Sequence, residues 1–81
     1  MKLDVTRRAR RQYEALPPRL RERVDKQLSL LLADLRHPSL HAKKYDESRD
    51  IWQGRVTRDY RFYFTLEGDT YVVLSILPHP K

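Results

Sequence analysis

Eighty-one residues are enough for one domain and not for two, and a domain this small buries only about 60% of its unfolded surface, so each large apolar side chain counts. The chain has no cysteine, which excludes disulfides and thiolate metal ligation, and it has no apolar run near the ~20 residues of a membrane span or the apolar stretch of a signal peptide. Seventeen Lys and Arg against eleven Asp and Glu give +6, concentrated in residues 1–44 (twelve basic, five acidic, net +7) and absent from residues 45–81 (five basic, six acidic, net −1). Arginine dominates the excess and suits bidentate contact with phosphate, so a cytoplasmic protein with an anionic partner is expected, beside the plainer reading of a charged, soluble surface.

Lys2-Leu3-Asp4-Val5-Thr6 alternates polar and apolar residues and predicts a short first strand. Thr6 is placed to cap a helix beginning near Arg7, in which Ala9, Tyr13 and Leu16 recur at helical spacing while Arg7, Arg8, Arg10 and Arg11 point mostly elsewhere. Pro17-Pro18 ends that helix, and Pro18 can open the next, where a missing N–H costs nothing. In the second helix Leu20, Val24, Leu28, Leu31 and Leu35 form one apolar stripe, with Gln27 and Leu32 at its margins and Leu30 off it. His37-Pro38-Ser39 stops the helix, and so short a connection between helices predicts an antiparallel hairpin.

Residues 39–50 read as a loop, followed by strands at 51–57, 60–66 and 71–77 joined by Arg58-Asp59 and by Glu67-Gly68-Asp69-Thr70. The expected order is β-α-α-β-β-β in a single domain, 1–81. The expected class is α+β, a helical hairpin on one face of a mainly antiparallel sheet. Alternation places Trp52, Gly54, Val56, Tyr60, Phe62, Phe64, Leu66, Val72, Leu74 and Ile76 on a core face. It places Gln53, Arg55, Thr57, Arg61, Tyr63, Thr65, Tyr71 and Ser75 on the other. That second set puts two arginines and two tyrosines on a face no helix need cover. The plain reading is a wetted sheet face with arginines lying across aromatic rings; the functional one is an anion-binding platform with tyrosines to stack on bases.

The segment Ile51-Trp52-Gln53-Gly54-Arg55-Val56, then Asp59-Tyr60-Arg61-Phe62-Tyr63-Phe64, then Tyr71-Val72-Val73-Leu74-Ser75-Ile76-Leu77-Pro78-His79 resembles the RelE/ParE superfamily of toxin–antitoxin toxins. The N-terminal strand, the helix pair and His37-Pro38 fit the same pattern, so the resemblance covers essentially the whole chain. It implies a RelE-like fold, a cognate antitoxin, and, for RelE-like members, ribosome-dependent cleavage of mRNA by attack of the ribose 2′-hydroxyl on its own phosphate. It implies no metal or organic cofactor, and the chain has no His/Asp/Glu cluster at ligand spacing.

That chemistry needs a base, an acid, and cations over the pentavalent phosphate. By the resemblance Arg61 is the stabilising cation, Arg55 a clamp, and His79 the acid or base. Lys43, Lys44, Gln53 and Tyr63 would hold RNA, with Arg7, Arg8, Arg10 and Arg11 toward ribosomal RNA; His41 is the weakest of these candidates. Leu30, if exposed, would meet the antitoxin. Gln53 stands where the best-known member is basic, and the tyrosine that many active members carry beyond the position of His79 has no counterpart here. Two other readings therefore stay open: a ParE-like gyrase inhibitor, and an inert relative that binds an antitoxin-like partner.

Overall fold

A computed structural model describes residues 1–80. Two helices, α1 (Arg7–Glu14) and α2 (Pro18–Ala33), follow a first strand, β1 (Lys2–Val5). A single 3-10 turn, Pro38–Leu40, leads to β2 (Lys43–Asp46), β3 (Ile51–Thr57), β4 (Tyr60–Glu67) and β5 (Thr70–Pro78). The five strands form one sheet in the order β1-β5-β4-β3-β2, antiparallel except for the parallel β1–β5 pair. Among the described residues no helix is long and apolar enough to cross a membrane.

The helix ends follow the local chemistry. Thr6 Oγ1 accepts from Ala9 N at 3.1 Å, satisfying one of the unpaired donors of the first turn, and the same hydroxyl donates to Leu74 O at 3.0 Å. Pro18 opens α2 at its first turn. The edge of β5 beyond the end of β1 is taken up by α1, where Gln12 Oε1 accepts from Ile76 N at 2.7 Å. An edge N–H that would otherwise invite another strand is thereby closed.

The core lies between the helices and one sheet face, built from Ala9, Leu16, Val24, Leu31, Leu40, Val56, Phe62, Phe64, Tyr71, Val73 and Ile76. Phe62 and Phe64 stack with ring centroids 5.4 Å apart. Gln27, expected at the margin of the helical stripe, sits at its fully buried centre. Its Nε2 donates to Ser39 O (3.1 Å) and Arg55 O (2.9 Å), and its Oε1 accepts from Ser39 Oγ (3.1 Å). One amide thus ties α2 to the 3-10 turn and to β3. Leucine in its place leaves two buried carbonyls without donors at about 1–3 kcal/mol each. Gln27→Leu is therefore expected to lose about 2–6 kcal/mol, read as a lower midpoint in urea at unchanged slope.

The sheet departs from simple alternation in three places. Residues 43–46, expected in a loop, form the edge strand β2, paired antiparallel with β3. In β5, Tyr63 pairs with Ser75 but Phe64 with Val73, so Leu74 is an extra residue. Such a bulge reverses parity along the rest of the strand. Tyr71 (6% exposed) and Val73 (0%) consequently face the core, while Val72 and Leu74, expected there, turn away. Leu66, also expected in the core, is 42% exposed. A third irregularity falls after Arg55 in β3, and the carbonyl of that residue is the one Gln27 takes.

Candidate active site

Arg55 and Arg61 are direct partners across the β3–β4 ladder, which brings their Cβ atoms to about 4.5–5.5 Å. Gly54, Val56 and Phe62 turn to the core, so both arginines emerge on the face without helices. Arg61 is only 7% exposed. Its Nη1 donates to the carbonyls of Thr57 (2.6 Å), Arg58 (3.1 Å) and Tyr60 (3.0 Å), fixing the plane of the guanidinium against the β3–β4 turn. Burial first, and the Arg55 charge second, pull its pKa below the usual arginine value. Arg55 Nε is buried without a hydrogen-bond partner, and among the described residues no carboxylate ion-pairs with either guanidinium. Like charges directly opposed across strands destabilise a sheet. Their persistence here leaves a site that an anion would relieve.

Around this pair lies a cleft of about 350 Å³ lined by His41, Ala42, Lys43, Gln53, Arg55, Arg61 and His79. Lys43 pairs with Gln53 in the β2–β3 register, and Gln53 with Tyr63 in β3–β4, so a second row of polar side chains follows the arginines along the face. His79 follows β5 and is held by its own N–H, which donates to Asp59 O at 2.7 Å. His79 and Arg61 also line an adjoining hollow with Arg58, Asp59 and Pro80. Burial, and then the neighbouring Tyr45, raise the Tyr63 phenol above its ordinary value. Tyr63 thus stays protonated at neutral pH. Among the described residues no three His, Cys, Asp or Glu come together as a metal-ligand set.

The expected site residues divide. Arg55, Arg61, His79, Lys43 and Gln53 share the cleft, with Tyr63 beside it. Lys44 does not join them: it pairs with Trp52 on the other face, lies 5.2 Å from that ring and ion-pairs with Asp50. Of the α1 arginines, Arg8 reaches a hollow on the open face with Tyr45, Arg49 and Tyr63. Arg10 lines an apolar groove on the helical side with Leu3, Val5, Tyr13 and Leu28. Arg7 and Arg11 are exposed outside the cleft. Leu30 is half-buried against the core, and Leu32, at 37%, is the more exposed apolar side chain of α2. Two residues gain weight from the structure. His41 lines the cleft, and Tyr45, carried on a bulged edge strand, meets Tyr63 edge-on at 4.8 Å. Reading 43–46 as a strand would have brought out Tyr45, since alternation then applies to it.

The arginine pair gives a direct test of anion binding. Arg55→Gln removes an opposition worth about 0.2–1 kcal/mol, so the variant is expected to be at least as stable as the parent in low salt. Inorganic phosphate at millimolar concentration is expected to raise the melting temperature of the parent and leave that of Arg55→Gln unmoved, since a ligand stabilises only the state that binds it.

Solved structures share this architecture. A YoeB/ParE toxin from Agrobacterium tumefaciens superposes with a TM-score of 0.83 at 19% identity, over 99% of this chain and 100% of that one. The archaeal RelE–RelB complex from Pyrococcus horikoshii gives 0.80 at 15% identity, over 95% and 92%. The isolated E. coli RelE toxin gives 0.79 at 21% identity, over 99% and 85%. These likenesses show a RelE-like fold. No curated protein matches in sequence. The family model described as "ParE toxin of type II toxin-antitoxin system, parDE" matches residues 3–81, nearly the whole chain, and the protein accordingly belongs to this family of type II toxin–antitoxin toxins.

Proposed function

We propose that this toxin is a ribosome-dependent mRNA endoribonuclease and that its partner in the resting state is an antitoxin. The observation that carries the reading is the uncompensated Arg55–Arg61 pair, set in a cleft that also holds imidazole. A phosphodiester satisfies both guanidiniums, and the extra charge that develops on phosphorus during attack by the 2′-oxygen strengthens the same contacts in the transition state. Arginine stays protonated through the reaction, so it stabilises charge and leaves proton transfer to His79. Lys43, Gln53 and Tyr63 extend the polar row along which a neighbouring nucleotide would lie, and Arg8 lends charge to the far end of the face. The antitoxin partner is supported by the family and by the RelE–RelB assembly among the solved relatives.

The test is primer extension on a defined message with purified ribosomes, and the expected result is cleavage phased to codons, with 5′-hydroxyl ends downstream. A ParE-like gyrase inhibitor is the second reading, favoured by the family match itself. An uncut message together with trapped, cleaved DNA in a gyrase assay would establish that reading instead.

A further inference from the structure

Attack by the 2′-hydroxyl needs two proton carriers, and the cleft offers a second. We propose that His41 shares the acid–base work with His79, one taking the 2′ proton and the other supplying the proton of the departing 5′-oxygen. The inference rests on the ribonuclease reading above and goes beyond it by completing the proton balance. In that step the 2′-oxygen bonds to phosphorus as the bond to the 5′-oxygen breaks, giving a 2′,3′-cyclic phosphate and a 5′-hydroxyl. The proton gained by one imidazole equals the proton lost by the other.

Three observations support His41. First, it lines the same cleft as Arg55, Arg61 and His79, from the 3-10 turn preceding β2, whereas His79 enters after β5. The two imidazoles therefore come from separate elements around the arginine floor. Second, the other polar side chains of the cleft do not fit the task. The arginines remain protonated, the Lys43 ammonium has donors but no acceptor for the 2′ proton, the glutamine has no proton to exchange, no carboxylate lines the wall, and the adjacent Tyr63 phenol is held protonated. Imidazole is the side chain that exchanges a proton near neutral pH.

Third, the turn bearing His41 is a built support. Leu40, fully buried, plugs the core immediately before it. Ser39, two residues before it, is held through its carbonyl and hydroxyl by Gln27, and Gln27 grips the carbonyl of Arg55. The histidine wall and the arginine floor are thus joined by one buried amide. His41 itself takes a left-handed backbone, φ 46°, with its N–H donating to Pro38 O at 3.3 Å.

Asparagine tolerates that backbone, so His41→Asn removes the imidazole without forcing the turn to refold, and its melting curve should match the parent. The assay compares the parent, His41→Asn and His79→Gln on ribosomes programmed with two messages. One carries the natural linkage; in the other, sulfur replaces the 5′-bridging oxygen and leaves without needing a proton. On the natural linkage both variants are expected to slow by at least about 100-fold, the range of a lost general acid or base. On the sulfur linkage one variant, and only one, should recover to near the parental rate, which identifies the acid and leaves the other as the base. Recovery of both or neither overturns the pairing, as does His41→Asn or His79→Gln cutting within about threefold of the parent. An inactive parent overturns the ribonuclease reading and this role together; an active parent with an unimpaired His41→Asn overturns this role alone.

Discussion

Arg61→Gln is expected to slow cleavage of ribosome-bound message by about 10²–10³-fold, the usual cost of removing one donor aimed at developing negative charge. The position makes the loss hard to recover. Arg61 Nη1 is fixed by three carbonyls of the β3–β4 turn, so the guanidinium is oriented before substrate arrives. Lysine keeps the charge but not the planar fork, so Arg61→Lys should also be impaired, by roughly tenfold or more. On the proposed reading Arg55 and Arg61, direct partners across the ladder, hold one phosphate, so Arg55→Gln and Arg61→Gln together should cost less than the product of the separate losses. Single-turnover rates for the three variants supply the cycle. Losses that multiply would mean that the two arginines act on different groups.

Gly54→Ala should be the most destabilising single-methyl change in the sheet. A Cβ at this position would lie 2.4 Å from Phe62 Cζ and 2.6 Å from its Cε1, because the ring of the cross-strand partner lies over the glycine. Phe62 is fully buried and stacked on Phe64, so it has little room to give way. Overpacking of this kind costs up to about 3 kcal/mol, which for a domain of this size corresponds to about 12–24 °C in melting temperature. Phe62→Leu vacates the volume of the ring. The double variant should therefore lose less stability than the two single losses added together. Thermal melts of the four proteins decide the matter, and simple additivity would show that the ring does not limit the site.

The opposed arginines and the clashing methyl both trace to strand parity, and parity was legible where the strands run without interruption. From Trp52 to Arg55 and from Tyr60 to Thr65, alternation in the sequence separates core from open face correctly. It fails in β5 because Leu74 is an extra residue. Nothing in Tyr71-Val72-Val73-Leu74-Ser75 marks a bulge, and either parity places apolar side chains on both faces. The strand at 43–46 was hidden for another reason: Lys43-Lys44-Tyr45-Asp46 is an edge strand whose identity depends on pairing with β3. Gln27 was misplaced because its value lies in the carbonyls it meets, and those belong to distant residues. The two cleft arginines were visible as residues on one face, whereas Lys43 lay in the segment read as a loop. The place of His41 was not, since a loop histidine acquires meaning only when the loop is pinned.

The parallel pairing of Lys2–Val5 with residues 70–73 also has a consequence in time. Lys2–Val5 can pair only once residues 70–73 have left the ribosome, so the five-stranded sheet closes late, after the β3–β4 hairpin that carries the two arginines has been made.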